Sequence, residues 1–460
     1  MAKQLLTDAQ NALQYVDNWK KADNTDYTAA EKDAAKKALQ ALINELSVDV
    51  KNNKGEITKL SVINALQQQY ATASTTSVGK PTQAPAQFNA IANGLGNIVT
   101  DKVSQATQAA IIDLAMDSKK LASYLSDINS TAKSHTDAGS ATSSANTAIN
   151  LSNDLSITAR AVQHNNPYLA AKQFKDKTAS VASDAYYYKA NNYANSVWAN
   201  TFGGLNIYDG ENSGVFGISF GYDREVSEGV LLGVYGTYAN SELKDKVTKN
   251  EADNFQFGVY SNIKFAQTWE SNFKVYGQVA KVDTTSTTNV GTTQGDFAQR
   301  FFGASGNVGK VFNPADGFYI KPFVGANYYY GYTPNYTETG VLAKHVRSTS
   351  NDTISLEIGG EFRKYFNESA YIFATPKLEQ FVIARSDDYY ATYQGATQGF
   401  FIESDEKKKT YGQLVVGANY ELNDALSINA GLGAKQILSG KVEDKNETYL
   451  SGNLGLKYKF

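Results

Sequence analysis

Along the second half of the chain, large apolar residues alternate with small or polar ones at a period of two. Phe216, Ile218, Phe220 and Tyr222 share one face, and Gly217, Ser219, Gly221 and Asp223 the other. The same alternation sets Phe255, Phe257, Val259 and Phe265 against Gln256, Gly258, Asn262 and Lys264, and Ile354, Leu356, Ile358 and Phe362 against Ser355, Glu357, Glu361 and Arg363. Such a period is that of a strand with one face apolar and one wet. Twelve segments follow it, near 196–208, 214–225, 229–241, 252–266, 268–284, 294–312, 317–333, 350–366, 369–385, 409–422, 425–438 and 446–460. Their lengths exceed the roughly 9–11 residues that cross a bilayer at a 45° tilt, and far exceed the roughly 5–6 of an average soluble strand.

The connections alternate as well. Tight turns such as Val226-Ser227-Glu228, Ala266-Gln267, Asn367-Glu368 and Asn423-Asp424 are interleaved with long loops at 240–251, 283–295, 334–349 and 386–408. Short turns on one rim and long loops on the other are the signature of outer-membrane barrels, with the short rim periplasmic. In lipid every strand edge must be paired, so the first strand is expected to close against the last. Aromatics near strand ends (Trp198, Trp269, Tyr330, Tyr332, Tyr458, Phe460) suit interfacial girdles.

The first part of the chain has another rhythm. Thr28-Ala29-Ala30-Glu31 reads as a capping box ahead of Ala34, Ala35, Ala38, Leu39, Leu42, Ile43 and Leu46 at helical spacing. A second helix is expected over about 101–129, with Ser/Thr-rich linkers at 74–81 and 134–144. Residues 1–195 hold 5 of the 36 glycines and 2 of the 22 phenylalanines, which places a boundary near Asn195. This half reads as narrow helices with shallow cores, a stalk without chemistry.

Composition narrows the chemistry. Charged residues are 19% of the 460, and the net charge of −3 gives no broad basic surface, so nucleic acid is not an expected partner. With no cysteine and three histidines (His135, His164, His345), no metal site or cofactor is expected. No run of 18 apolar residues exists to form a membrane helix. Residues 1–8 lack the apolar stretch of a secretory signal, so either the chain is not exported or a leader lies upstream. Gly217-Ile218-Ser219-Phe220-Gly221 matches the nucleophile-elbow pattern, but that motif needs a strand-to-helix turn and here lies within an alternating strand. No enzyme activity is expected. Asp405, Glu406 and the run Lys407-Lys408-Lys409 read as a solvated loop.

The stretch Asn453-Leu454-Gly455-Leu456-Lys457-Tyr458-Lys459-Phe460 resembles the terminal assembly signal of outer-membrane barrels, with Asn453, Gly455, Tyr458 and Phe460 in the signal positions. The segment 195–204 resembles the opening strand of autotransporter translocators. Phe257-Gly258-Val259-Tyr260-Ser261-Asn262-Ile263 and Lys321-Pro322-Phe323-Val324-Gly325-Ala326 are similar to stretches in vacuolating-cytotoxin-type autotransporters of epsilonproteobacteria, and the likeness extends weakly to 150–157. The fold this implies is an all-β membrane barrel of about 12 antiparallel strands around a lumen helix, preceded by a mainly α-helical N-terminal region. The chain then divides into a helical passenger remnant or stalk at 1–150, a linker and lumen helix at 151–195 and the barrel at 196–460. Residues 169–191 could supply that helix. The resemblance implies a translocator that anchors and exports its own passenger at the cell surface. Its partners would be outer-membrane lipid, the barrel assembly machinery and the passenger segment. A porin with a soluble appendage, or an adhesin or toxin activity in the passenger, stays open. Lys321, Glu357, Glu361, Arg363, Lys435, Lys457 and Lys459 occupy the inward phase and are the candidate lumen residues. Asn165-Asn166 and Asn191-Asn192 are adjacent pairs of the kind some autotransporters use for self-cleavage.

Overall fold

The computed structural model describes residues 2–21, 25–51, 86–137, 144–168, 195–208, 210–227 and 229–460. Among them, twelve long strands form one closed antiparallel barrel: β1 Asn195–Tyr208, β2 Glu211–Ser227, β3 Val230–Lys244, β4 Thr248–Phe265, β5 Trp269–Thr288, β6 Gly291–Lys310, β7 Phe318–Thr333, β8 Thr349–Tyr365, β9 Ala370–Ser386, β10 Thr410–Glu421, β11 Leu426–Ser439 and β12 Glu447–Lys459. Each strand pairs with its sequence neighbours. β1 closes on β12 in an unbroken register from Ser196↔Lys459 to Tyr208↔Glu447, so the sheet has no free edge.

The alternation decides which face meets which medium. Phe216, Phe257, Ile358, Leu432 and Leu454 are 60–65% exposed on the outer wall. Inward glycines let neighbouring rings lie flat along the inner wall: a Cβ on Gly233 would overlap the Tyr260 ring, and one on Gly258 the Tyr235 ring. That is why the barrel half is rich in both glycine and tyrosine.

Of the helices, α1 Ala2–Tyr15 and α2 Ala29–Lys51 pair around Ala9, Val16, Leu39 and Ile43. The capping box forms: the Thr28 amide donates to the Glu31 carboxylate at 2.8 Å, and the Glu31 amide to Thr28 Oγ1 at 3.3 Å. Then come α3 Ala86–Gly96, α4 Gln105–Met116, α5 Ser118–Thr136 and α6 Ser144–His164. The single helix expected over 101–129 is therefore two. Asp117 breaks it, its carboxylate accepting from the Lys119 and Lys120 amides as the cap of α5. The linker at 74–81 lies outside the described residues, and so does 138–143 of the second linker.

Helices α3–α5 are more than a stalk. They sit on the long-loop rim against a four-stranded sheet made by two of the loops (Tyr336–Thr337, Lys344–Val346, Tyr389–Tyr393, Phe400–Ile402). Ile91, Leu95, Leu114, Leu121, Tyr124 and Leu125 share one core with Tyr336, Val346, Tyr389, Phe400 and Ile402. At the closest approach, a Cβ on Gly94 would sit 2.6 Å from the Phe400 ring. The expectation of shallow cores fails because the barrel loops supply the other half of this one.

Candidate functional site

The lumen is occupied by α6. Its stripe Leu151, Leu155, Ala159 and Val162 meets Tyr319, Tyr365, Tyr371, Phe373 and Val415 of the wall, and Ala145, Ala148 and Ile149 meet Phe202, Val215 and Ala239. These positions recur every three to four residues, so one helical face carries the apolar contact and the others are free for polar ones. The chain enters at the long-loop rim and leaves at the short-turn rim, where the Asn166 side-chain amide donates to the Asn367 and Glu368 carbonyls at 3.4 and 3.3 Å. The segment 169–191 proposed for the lumen helix lies outside the described residues.

Polar groups fix α6 along its length. Asn153 donates to Gln256 Oε1 at 2.7 Å and to Thr237 Oγ1 at 3.1 Å, and accepts from Ser219 at 2.8 Å. Ser219, the serine of the elbow-like pattern, is therefore a wall contact to the helix. Ser156 accepts from Asn453 at 3.0 Å and from Asn200. The Arg160 guanidinium grips Asp223 with Nε–Oδ2 at 2.7 Å and Nη2–Oδ1 at 2.5 Å. Tyr260 also donates to Asp223 at 2.8 Å, and Trp198 Nε1 donates to Tyr260 at 3.0 Å. Near the exit, the Tyr371 and Tyr365 hydroxyls donate to the Ala159 and Val162 carbonyls at 2.6 Å each. The Val162 carbonyl belongs to the last turn of the helix, where backbone acceptors lack intrahelical donors, and the Ala159 carbonyl lies just before it.

The sequence-predicted lumen residues separate by partner. Lys457 reaches the helix, donating to Gln163 Oε1 at 2.5 Å. The others pair across the wall: Lys321 with Glu361 at 3.0 Å, Arg363 with Glu270 and Glu361, Glu357 with Lys377 at 2.8 Å, and Lys435 with Glu379 at 2.8 Å. Lys459 is half-exposed at the short-turn rim. Beside α6, a polar cavity of about 130 Å³ is lined by Asp154, Lys274, Asn327, Glu357, Lys377 and Lys435, so the helix does not fill the lumen.

Several contacts escaped the sequence reading. Trp198 points inward and is no girdle residue, whereas Trp269, Tyr458 and Phe460 do face outward. Of the lysine run, Lys409 is fully buried, held by Asp137 at 2.6 Å and Glu447 at 2.7 Å. Arg160, Asp223, Glu270 and Glu379 were also missed. The inward phase of β2 already placed Asp223 in the lumen, and it was the one available signal. Of the signal positions on β12, Asn453 and Gly455 face inward. A Cβ on Gly455 would overlap the Asn200 side chain, so glycine there makes room for the Asn200–Ser156 contact. The amide nitrogens of Asn165 and Asn166 are both spent as donors, on Asn262 Oδ1 at 3.0 Å and on the turn carbonyls. Asn191-Asn192 lie outside the described residues.

A helix threaded through a closed twelve-strand barrel narrows the family sharply. Residues 146–460 match the family described as "Vacuolating cytotoxin autotransporter VacA, C-terminal domain". The chain belongs to this family. Two similar curated relatives are vacuolating cytotoxin autotransporters of Helicobacter pylori, 24% and 22% identical over 307 residues, each covering 63% of this chain. The aligned part spans 22 to 23% of those relatives' length. Among solved structures, the chain is similar to the translocator domain of the autotransporter NalP from Neisseria meningitidis (TM-score 0.47, 14% identity, 66% of this chain and 98% of that one). It is also similar to the β-domain of the Bordetella autotransporter BrkA (TM-score 0.41, 15% identity, 58% and 99%). As a VacA-type translocator, the barrel lies in the outer membrane, so the long-loop rim and its helical cap face outward from the cell.

Within the cap of this VacA-type barrel, His135 sits among Phe297, Tyr336 and Tyr389, with ring centroids 5.8–6.3 Å away, and its Nε2 is 3.3 Å from the Tyr336 hydroxyl. Its remaining surface faces a cavity of about 110 Å³. Burial pushes its pKa down from 6.5 to about 4; the nearby Glu338 opposes this and Lys344 reinforces it. An unfolded cap binds the proton between those two values and the folded cap does not. Cap stability is therefore full above pH 6.5 and declines as pH falls toward 4, by up to about 3 kcal/mol. Hydrogen exchange of residues 118–136 should accelerate over that window, and His135→Phe should flatten the response. Equal acceleration in His135→Phe would assign it to other groups.

Proposed function

We propose that this barrel exports the chain that precedes α6 and then stays anchored in the outer membrane, with α6 as the residual plug and α3–α5 as a surface cap. The carrying observation is the direction of α6. Helix α6 runs from the outer rim through the lumen to the periplasmic rim, so α3–α5, which precede it in the chain, lie on the side to which a passenger would be delivered. In this reading the surface part precedes Ser144, and the boundary expected at 150 moves to the start of the plug, since Ala145, Ala148 and Ile149 already pack against the barrel wall. The barrel supplies a sealed, polar-walled route and carries out no bond chemistry.

The partners follow from the same reading. Outer-membrane lipid meets the apolar outer wall. The barrel assembly machinery would read Tyr458 and Phe460, which stack outward with centroids 6.1 Å apart, while Asn453 and Gly455 serve the helix inside. A toxin or adhesin activity would reside in the passenger.

Two measurements test the proposal. On intact cells expressing the complete precursor, external protease should cleave within residues 1–137 and leave the barrel whole. In planar bilayers the unaltered protein should conduct weakly, and deletion of residues 144–168 should raise single-channel conductance about tenfold, because a barrel of this size has a lumen wide enough for an aqueous pore once unplugged. A large conductance in the unaltered protein that the deletion does not change would favour the porin.

A further inference from the structure

We propose that the chamber between the cap and the barrel wall is a binding site for a small uncharged primary amide, with Asn206 as its hydrogen-bonding anchor. The chamber is the cavity of about 110 Å³ beside His135, bounded by α5, by the start of α6 and by β1, β3–β6 and β12. Asn206 lines it and is 1% exposed, and neither its amide nitrogen nor its carbonyl oxygen has a hydrogen-bond partner among the described residues. The position of α6 explains this. Three inward positions of β1 nearer the periplasm meet the helix: Asn200 donates to Ser156, Phe202 packs on Ala145, Ala148 and Ile149, and a Cβ on Gly204 would lie 3.4 Å from that of Ala148. Asn206 is the next inward position, and α6 begins only at Ser144. Its ladder neighbours are spent elsewhere. The Tyr449 hydroxyl donates to Glu447 at 3.1 Å, and Ser213 Oγ accepts from the Lys244 amide at 2.7 Å. A buried carboxamide left unpaired on both atoms is costly, and a ligand that pairs them recovers that cost.

The unmet groups select the ligand. On β4, the Asn250 carbonyl oxygen lies along the same chamber and also lacks a partner among the described residues. One NH2 group and two carbonyl oxygens are complemented by one C=O and two N–H, which is what a primary carboxamide presents. Charge excludes ions. The acidic groups of the lining are already paired, Asp137 with Lys409 at 2.6 Å and Asp245 with Lys445 at 3.3 Å, so an added ion would be buried without a counter-charge. Val282 on β5 and Phe301 on β6 supply an apolar side for a methyl or ethyl group. Volume sets the upper bound. A cavity of about 150 Å³ takes the six carbons of benzene, so one of about 110 Å³ takes about four or five heavy atoms, the size of acetamide or propionamide. The site depends on the closed fit of cap to barrel and is independent of whether the barrel exports a passenger.

The test is hydrogen exchange of the full chain in mild detergent, with acetamide as the probe. Two molecules of the same shape are the controls: acetone, which lacks the N–H groups, and acetate, which carries a charge. The ligand fits only the closed cap, so about 100 mM acetamide acting with a dissociation constant of about 10 mM should slow exchange in residues 131–137 about tenfold. Acetone and acetate should change it less than about twofold. Asn206→Leu removes the anchor at similar volume, and Val282→Phe fills the chamber from its apolar side; each should abolish the slowing by acetamide. Heat-modifiable mobility on gels shows which variants form the barrel, and Val282→Phe decides alone if Asn206→Leu does not. Equal slowing by all three solutes, or slowing that persists in a variant that forms the barrel, overturns the site. No slowing of the unaltered protein also overturns it, by assigning the chamber to water only.

Discussion

Arg160→Ala is expected to loosen the lumen helix by about 3–5 kcal/mol, the cost of leaving one partner of a buried ion pair behind. Asp223 is buried, and after the substitution it would keep only the Tyr260 hydroxyl of the contacts that now satisfy it. The pair joins α6 to β2 across 63 residues of sequence, so the loss falls on docking of the helix and much less on the sheet, whose ladders remain intact. Frequent opening events in planar bilayers, with heat-modifiable mobility retained, would report a barrel whose plug comes and goes. Arg160→Met/Asp223→Leu removes both charges and should restore most of the closed state, since an apolar pair of similar volume avoids the desolvation cost. If Arg160→Ala stays closed under the same conditions, the apolar stripe of Leu151, Leu155, Ala159 and Val162 holds the helix alone.

The second large effect is at the outer rim. Lys409 lies between Asp137, at the end of the cap, and Glu447, at the start of β12, and Glu447 also accepts from Tyr411 at 2.6 Å and Tyr449 at 3.1 Å. Burial alone would push the Lys409 pKa down. The two carboxylates more than offset this and hold it above the usual lysine range, so the Lys409 ammonium stays charged throughout the neutral range. Lys409→Met should cost about 3–5 kcal/mol in attachment of the cap, because Glu447 would be left buried without a cation. Hydrogen exchange should rise in residues 118–136 and in the loop strands Tyr389–Tyr393 and Phe400–Ile402, with the barrel strands unchanged. Lys409→Met/Glu447→Gln should recover part of the loss. Exchange rates in the single variant that match the unaltered protein would mean that the shared apolar core of cap and loops suffices.

The two effects separate what was legible in the chain from what was not. The twelve strands, their order and the two unequal rims were readable because each rests on local properties: a side-chain period of two and the spacing of turns. The inward phase likewise marked Lys321, Glu357, Glu361, Arg363, Lys435 and Lys457 as lumen residues, and they are buried there. Trp198 was misplaced because β1 carries bulky side chains in both phases, Val197 and Leu205 outward and Trp198 and Phe202 inward, so the pattern alone does not say which face is wet. Lys409 looked solvated because its neighbours Lys407 and Lys408 are charged and exposed, and nothing local reveals a carboxylate 272 residues away.

The amino-acid sequence by itself determined that a barrel forms, how many strands it has and, where one phase is clearly apolar, which side chains line it, since alternation and turn chemistry act between near neighbours. Only the tertiary structure decided that Ser144–His164 fills the lumen, that α3–α5 and the loops share one core, and which charge meets which. Ring closure brings together residues that are distant in sequence, and the low dielectric of the interior then makes each such meeting either a pair or a heavy penalty.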